Sequence, residues 1–300
     1  MPTTLIVGIW SVDTVVQRGK AWLSASVDLK LARLNEALTI FHMVRTAQGN
    51  TVAPPDQLVR AVFVAPEYFF TVAKNNREKD RDYMDGFWFS WLKARIPAPP
   101  NVLLVPGSIA YRKTDDGGGV RRAKYDNNVA AVASLAGLLG DIRDVQRTNF
   151  IHNVAYGFFR GRKVLKARKQ RNATDGGNDD DAFVPGWATN KAMIQVPDTA
   201  GPPRTLSFSI EICADASNHG GGTGYDDVVT PGPADVKILV SAVLAAQHVY
   251  AGNATRALIH ACSDAQHSGI TAIGAGVAST HLNTRQLYGG PLDCYRLTIP

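Results

Sequence analysis

The sequence predicts an α/β fold, in which short buried strands alternate with helices that cover the sheets. Apolar runs rich in β-branched residues recur along the chain and are too short for buried helices. The segment between the first two runs has apolar residues three and four positions apart, which is typical of an amphipathic helix. No internal repeat, low-complexity tract or linker interrupts the 300 residues, so we expect one domain over residues 1–300.

The first part of the chain is expected to form a strand, a helix and a second strand. Leu5 to Trp10 is an apolar run that suits a buried strand, and residues 29–44 have helical apolar spacing. Ala61 to Ala65 predicts a second buried strand, which Pro66 ends, so that Glu67 stands at a strand end. Further elements follow in the same alternation: a helix at Phe87–Lys93, a strand at Val102–Ser108, a turn at Asp115–Gly119 and a strand at Asn127–Ala133.

A basic turn separates two expected strands near the middle of the chain, Ala155 to Phe159 and Lys163 to Ala167. Alternation of side chains puts Lys163, Ala167 and Lys169 on one face, and one inward lysine is expected there. The remaining elements are a loop at Ala173–Asp181, strands at Thr205–Ile212 and Val236–Ser241, a helix at Asn253–Ser263 and a strand or turn at Thr271–Ala278.

The composition excludes a disordered, fibrous or membrane-spanning class. An apolar content of 45% with 19% charged residues is ordinary for a globular protein. No apolar run reaches the ~18–20 residues of a membrane helix, and no basic segment precedes Leu5, so neither a membrane partner nor a signal peptide is expected. Cys213, Cys262 and Cys294 lack the spacing of a disulfide framework or a zinc cluster. We therefore expect a cytoplasmic protein with no bound metal.

The chain is basic, with a formal net charge of +6 and a pI near 9.2. The densest basic stretch, Arg160 to Arg171, lacks interleaved aromatic residues beyond Phe158 and Phe159 just before it, and the other charges are scattered. We therefore expect no nucleic-acid partner. The positive charge is instead expected to draw anionic small molecules toward the surface.

Two segments contain side chains suited to nucleophilic and acid–base chemistry. Cys213 ends an apolar run and enters a stretch of small and polar residues, where a strand delivers a side chain to a cleft. Its thiol is a candidate nucleophile, although a free cysteine is more often a small buried hydrophobe. Glu67 stands among apolar and aromatic residues, which favour the neutral form of a carboxyl group and suit a general base. A role as one member of a structural salt bridge would explain Glu67 equally well.

The order Glu67, Lys169, Cys213, each at or near the end of an expected strand, resembles the nitrilase superfamily of carbon–nitrogen hydrolases. The similarity covers about residues 5–245, and the last fifty or so residues match poorly. The matching motifs are Pro66-Glu67 followed by aromatic residues, Tyr125 to Ala130 as the strand before the lysine, Arg168-Lys169 after the turn at Gly161, and Glu211-Ile212-Cys213-Ala214-Asp215 around the nucleophile.

This resemblance implies an amidase-like enzyme that hydrolyses an amide or carbamoyl group of a small molecule through a thioester, without a cofactor. Glu67 would take the proton of Cys213, while Lys169 and the backbone N–H of Ala214 would stabilise the oxyanion. Amide cleavage is expected rather than nitrile cleavage because Cys213-Ala214-Asp215 resembles the amidase form of the motif. The resemblance also implies a four-layer α-β-β-α sandwich and a homodimer or larger homo-oligomer.

Two departures from the family pattern concern the substrate pocket. The stretch after Lys169 lacks the second glutamate of many members, and the residues after Cys213 lack the usual aromatic, arginine and proline residues. Tyr68, Asp179 and His219 are the candidates for contact with the substrate.

Three other functions remain open. The same three residues could hydrolyse a nitrile. Cys213 could instead pair with a histidine, oriented by Asp215 or Asp264, as in a Cys–His hydrolase. A binding or scaffold protein on the same fold is the third, since fold does not imply activity. The histidines in question are His219, His260, His267 and His281.

Overall fold

A computed structural model of the chain describes residues 2–15, 20–50, 57–73, 81–82, 84, 86–114, 149–169, 181–183, 191–199, 201–216, 233–245 and 254–300. Several sequence predictions lie outside these ranges: the turn at Asp115–Gly119, the motif Tyr125–Ala130, the strand at Asn127–Ala133, nearly all of the loop at Ala173–Asp181, and the residues Asp179 and His219.

The described elements form two main sheets and three helices. In chain order they are β1 Thr3–Trp10, α1 Lys20–Leu23, α2 Val27–Ala47, β2 Ala61–Ala65, β3 Val72–Ala73, β4 Arg81–Asp82, α3 Gly86–Arg95, β5 Val102–Pro106, β6 Ser108–Thr114, β7 Asn149–Phe159, β8 Arg162–Arg168, β9 Asp181–Phe183, β10 Lys191–Val196, β11 Arg204–Ile212, β12 Ala234–Ser241, β13 Ala254–Cys262, β14 Gly269–Ala272, β15 Ala278–Leu287 and β16 Gly290–Ile299. The larger sheet has the order β15-β16-β1-β2-β5-β7-β6, and β8 and β9 also pair with β7. The smaller sheet has the order β10-β11-β12-β13-β14, and β3 pairs with β4.

The three central strands of the larger sheet show little alternation between apolar and polar residues, and their position explains why. β1, β2 and β5 are parallel neighbours with nearly every side chain buried, so both faces require apolar residues. The strands expected at Leu5–Trp10 and Ala61–Ala65 are confirmed. β16 pairs antiparallel with β1 along its length, so the final residues complete this sheet. The segment Thr271–Ala278, expected as a strand or turn, contains the end of β14 and the first residue of β15.

The helix α2 covers the outer face of the larger sheet and confirms the helical spacing of residues 29–44. It begins after Ser26, whose hydroxyl accepts a hydrogen bond from the Leu29 N–H at 3.2 Å and so caps the helix. The Phe41 ring packs on Phe63 of β2, with centroids 5.5 Å apart. Gly8 permits this approach, because a Cβ there would lie 2.8 Å from Phe41. Among the described helices, none is both long and apolar enough to cross a membrane.

The two sheets pack face to face through one buried apolar cluster. The described helices all contribute to the cluster on the opposite face of the larger sheet. The α/β class with two facing sheets is therefore confirmed, and the described ranges contain three of the four expected layers. Central members of the cluster are Val7, Val64 and Val105 from the larger sheet and Ile210, Ile238 and Ile259 from the smaller one.

The helix expected at Asn253–Ser263 is wrong, because Ala254–Cys262 forms the strand β13 between β12 and β14. Ala257 and Ala261 face the larger sheet, while Leu258 joins a separate apolar cluster. A strand that is buried on both faces has no polar alternation, so its apolar spacing resembles that of a buried helix. Hydrogen-bond pairing with β12 and β14 makes this segment a strand rather than a helix.

Two turns in the larger sheet depend on left-handed backbone conformations. Gly107, with φ 74°, divides the expected strand Val102–Ser108 between β5 and β6. A Cβ on Gly107 would lie 2.0 Å from the carbonyl oxygen of Pro66, so another residue would clash. The expected strand pair around the basic turn is confirmed as β7 and β8, joined by Arg160 and Gly161 with φ values of 53° and 73°.

A buried ion pair joins β11 to β12 in the smaller sheet. Lys237 Nζ lies 2.6 Å from Glu211 Oε2, and the two side chains are 0% and 1% exposed. Removal of one partner leaves an uncompensated charge, so Lys237→Met is expected to lower the free energy of unfolding by about 3–5 kcal/mol, measured by urea denaturation. The double variant Lys237→Met/Glu211→Leu should recover most of this loss. An unchanged urea midpoint in Lys237→Met would contradict this expectation.

Candidate active site

Glu67 lies two residues after the end of β2, at the carboxyl end of parallel strands, where α/β proteins commonly place their sites. Its side chain is buried. Thr14 Oγ1 donates to the main-chain carbonyl of Glu67 at 2.8 Å and also hydrogen-bonds the hydroxyl of Ser263. The next residue, Tyr68, has a φ of 59°, a left-handed conformation that is uncommon for a bulky residue. These features fix the main chain around the carboxylate.

Lys169 follows β8 and is buried, so it is the one inward lysine expected on the face that it was predicted to share with Lys163. Its main-chain N–H donates to the carbonyl of Asn153 in β7 at 2.9 Å, which extends the pairing of the two strands. Its Nζ donates to Glu67 Oε1 at 2.8 Å, and both side chains are 1% exposed. Lys163, by contrast, is exposed. The structure thus brings Glu67 and Lys169 together as a buried ion pair.

Cys213 follows β11 and begins a short 3-10 turn that also contains Ala214. Its side chain is 6% exposed, and its φ of 47° is left-handed. The electrostatic influence of Cys213 acts to raise the pKa of Lys169, so Cys213 lies within electrostatic reach of the Lys169–Glu67 pair. The structure therefore places Glu67, Lys169 and Cys213 at the ends of β2, β8 and β11, with Glu67 and Lys169 in contact and Cys213 within electrostatic reach of them.

Lys169 is held as a cation by its surroundings. Burial, the largest single influence, would lower the pKa of its ammonium group. The charges of Glu67, Cys213 and Asp215 and the hydrogen bond to Glu67 act in the opposite direction and together raise the pKa of Lys169 above its ordinary value. A fixed positive charge therefore lies within electrostatic reach of Cys213.

Two further groups, which the sequence did not indicate, also donate hydrogen bonds to Glu67. Asn153 Nδ2 donates to Oε1 at 2.9 Å, and the main-chain N–H of Ala242 donates to Oε2 at 3.1 Å. Asn153 lies in β7, and Ala242 follows β12 directly. The register of β7 against β8 would have marked Asn153 as a neighbour of Lys169, but that register is a property of the folded sheet.

Of the three residues expected to contact the substrate, the structure describes Tyr68. Its side chain is 1% exposed, and its ring centroid lies 5.7 Å from Lys169 Nζ. Its main-chain N–H donates to Ser108 Oγ at 3.2 Å. Tyr68 therefore packs against the ion pair, while Asp179 and His219 are outside the described residues.

Two of the candidate histidines are engaged elsewhere. His260 Nε2 lies 2.7 Å from Ser241 Oγ inside the smaller sheet. His281 Nε2 lies 3.0 Å from Thr284 Oγ1 on the exposed strand β15. These contacts give no support to a pair between Cys213 and either histidine. Within the described ranges, no group of three or more His, Cys, Asp or Glu side chains is arranged to bind a metal ion.

Burial of His260 makes the stability of the protein depend on pH. Burial, followed by the charge of His267, lowers the pKa of His260 from 6.5 to about 4. As the pH falls from about 6.5 to about 4, the unfolded chain takes up this proton and the folded chain does not, so about 3 kcal/mol of unfolding free energy is lost. Urea midpoints at about pH 7.5 and about pH 4.5 measure the loss, which His260→Gln should reduce and His281→Gln should not. Equal pH dependence in wild type and His260→Gln would rule this origin out.

Comparison with known proteins gives a limited likeness. No protein-family model and no curated protein matches the sequence. Similar solved structures include a glutamine-dependent NAD+ synthetase from Acinetobacter baumannii in complex with ADP, at 9% identity and a TM-score of 0.35, and one from Cytophaga hutchinsonii, at 11% and 0.37. The likeness covers 80% and 86% of this chain but 32% and 36% of those chains, so the chain spans about a third of their length.

Proposed function

We propose that the chain is a carbon–nitrogen hydrolase of the nitrilase type, which uses Cys213 to cut an amide or carbamoyl group of a small molecule. The observation that carries this proposal is the buried contact of 2.8 Å between Lys169 Nζ and Glu67 Oε1, within electrostatic reach of Cys213. Acyl transfer to a thiol needs a base for the thiol proton and a fixed positive group for the oxyanion, and this pair supplies both.

The first half of the proposed reaction forms a thioester. A free thiol has a pKa of about 8.5 and is mostly protonated at neutral pH, so Glu67 takes the proton of Cys213 and the thiolate adds to the carbonyl carbon. Lys169 and the backbone N–H of Ala214 stabilise the negative oxygen that results. One fixed donor in a site that excludes water contributes about 3–4 kcal/mol to such a step.

The second half releases both products. Glu67, now protonated, gives its proton to the departing nitrogen as the carbon–nitrogen bond breaks, which leaves the acyl group on Cys213. Glu67 then takes a proton from water, whose oxygen attacks the thioester carbon; the carbon–sulfur bond breaks, and the Cys213 thiolate takes that proton back from Glu67, which restores the starting state. No group is oxidised or reduced in this sequence, so the proposed cycle uses no cofactor.

The proposal also covers the substrate class, the cellular compartment and the oligomeric state. We expect an amide rather than a nitrile, because Cys213-Ala214-Asp215 resembles the amidase form of the nucleophile motif. Cys213, Cys262 and Cys294 are all free thiols, which suits a reducing, cytoplasmic compartment. From the family resemblance we propose a homodimer or larger homo-oligomer that acts on small molecules, with no nucleic-acid or membrane partner.

Ammonia release from a panel of small molecules tests the proposed reaction. The panel contains primary amides such as acetamide and glutamine, carbamoyl amino acids, peptides with N-terminal Asn or Gln, and nitriles. We expect turnover of at least one amide or carbamoyl compound by the wild type and none by Cys213→Ala. Cys294→Ala is the matched control, because Cys294 is buried in β16 on the helix-covered face of the larger sheet. No release from any compound, or equal release by Cys213→Ala, would refute the proposal.

A further inference from the structure

The two oxygens of the Glu67 carboxylate have unequal surroundings. Oε1 accepts hydrogen bonds from Lys169 Nζ at 2.8 Å and from Asn153 Nδ2 at 2.9 Å. Oε2 accepts from the N–H of Ala242 at 3.1 Å. A carboxylate offers about four lone-pair sites, two on each oxygen. Both sites on Oε1 are therefore filled, and with respect to the described part of the chain one site on Oε2 is open.

We infer that Asn153 is a positioning residue that selects which oxygen of the general base receives the proton. The inference rests on the proposed function. Because Asn153 and Lys169 fill Oε1, the proton of Cys213 goes to Oε2: the S–H bond breaks, an O–H bond forms at Oε2, and the sulfur keeps the electron pair. Asn153 exchanges no proton and acts through Glu67.

The orientation of the Asn153 amide supports this role. A carboxylate only accepts hydrogen bonds, so Nδ2 rather than Oδ1 must face Glu67. The other end of the amide, Oδ1, is buried and has no hydrogen-bond partner among the residues that the structure describes, an arrangement that is unfavourable for folding. An apolar side chain of similar size would avoid that cost. We therefore assign the Asn153 amide to the orientation of the Glu67 carboxylate rather than to the stability of β7.

The position of Asn153 in the sheet lets it fix both members of the ion pair. Its main-chain carbonyl accepts the N–H of Lys169 at 2.9 Å, while its side chain donates to Glu67. β7 is paired with β6 on one side and β8 on the other, and the Asn153 side chain is 1% exposed. A group on a rigid, doubly paired strand holds its partners in one geometry.

The pH dependence of Cys213 alkylation by iodoacetamide tests this inference without an amide substrate. Iodoacetamide reacts with the thiolate, so the labelling rate falls at low pH, where Glu67 no longer takes the thiol proton. Asn153→Leu removes a donor that favours the carboxylate form, so the acid limb of the rate profile is expected to move to higher pH. Intact-protein mass follows the labelling, with Cys213→Ala as the blank. Burial raises the pKa of Cys294 to about 12, so that thiol should label slowly.

Asn101→Gly is the matched control for loss of a buried amide. Asn101 is 4% exposed, and its Nδ2 donates to the carbonyl of Leu58 at 3.0 Å, at the opposite end of the parallel strands from Glu67. Its φ of 57° suits glycine. This variant is expected to lower the urea midpoint and leave the acid limb in place, whereas Asn153→Leu should move the limb with little change in midpoint.

A second variant keeps the test decisive if Asn153→Leu does not fold. Asn153→Asp preserves the shape of the side chain and adds negative charge beside Glu67, so it should also move the limb to higher pH. If the wild type releases ammonia but the acid limbs of the Asn153 variants coincide with the wild-type limb, the inference about Asn153 is overturned and the proposed amide reaction stands. Shifted limbs without ammonia release from any compound would support the positioning role and overturn the proposed amide reaction.

Discussion

Replacement of Cys213 by alanine is expected to reduce the kcat of ammonia release by about 10⁴- to 10⁶-fold. The variant loses the nucleophile and therefore the two-step route through a thioester, which replaces one difficult step by two easier ones. Direct attack by water activated by Glu67 cannot match that route. Alanine is close to cysteine in size, so the urea midpoint should change little. Steady-state ammonia assays and urea denaturation of the same preparation measure the two effects separately.

A second thiol nearby provides the control for this variant. Cys262 ends β13, its Sγ lies 3.7 Å from the carbonyl oxygen of Ala242, and burial raises its pKa above the ordinary value. A thiol that stays protonated is a poor nucleophile, so Cys262→Ala is expected to retain kcat within a few-fold. Loss of activity in Cys262→Ala with retention in Cys213→Ala would reverse the assignment.

Replacement of Lys169 by methionine is expected to have the second largest effect. The oxyanion loses a donor, which costs about 10²- to 10³-fold in kcat. Glu67 also remains buried without its cation, so the free energy of unfolding should fall by about 3–5 kcal/mol. The double variant Glu67→Gln/Lys169→Met removes both charges and should recover most of the stability and none of the activity. Ammonia-release rates and urea midpoints, taken in parallel, measure both quantities.

The ion pair between Lys237 and Glu211 is the matched contrast to the Lys169–Glu67 pair. Its members are equally buried, at 0% and 1% exposure, and their contact of 2.6 Å is of the same kind. The double variant Lys237→Met/Glu211→Leu is therefore expected to keep both stability and ammonia release. If kcat survived in Lys169→Met, or if activity simply followed stability in both pairs, Lys169 would be a structural cation.

Glu67→Gln alone separates the proposed enzyme from a Cys–His hydrolase. An uncharged amide cannot take the proton of Cys213, so this variant should lose nearly all ammonia release. A Cys–His hydrolase would use a histidine for that step and would retain most of its activity. Retained activity in Glu67→Gln would therefore favour the histidine mechanism.

Two of the three strand ends that carry the candidate site could be predicted from sequence because each ends an apolar run. Ala61–Ala65 and Thr205–Ile212 are buried runs that stop shortly before Glu67 and Cys213, and the structure has strands there. Alternation placed Lys163 and Lys169 on one face with one inward lysine expected, and the family resemblance singled out Lys169. Local patterns thus gave the types of the three residues, whereas their distances come from pairing between segments far apart in the chain.

The partners that orient Glu67 could not be predicted. Ala242 contributes only a main-chain N–H, which any residue except proline would provide, so its side chain carries no signal. Asn153 is 86 positions from Glu67, and their contact depends on the register of several strands. The left-handed conformations of Tyr68 and Cys213 were equally hidden, because glycine and asparagine are the residues that usually mark them.

Mass spectrometry of the acid-quenched enzyme, during turnover of its best amide, tests most directly whether Cys213 works with Glu67 and Lys169 as one catalytic unit. The expected result is a protein heavier by the acyl part of the substrate, with the added mass on the peptide that contains Cys213. Cys213→Ala should show neither the adduct nor ammonia. Ammonia release that continues in Cys213→Ala, or an acyl group found on a different residue, would contradict the proposed chemistry.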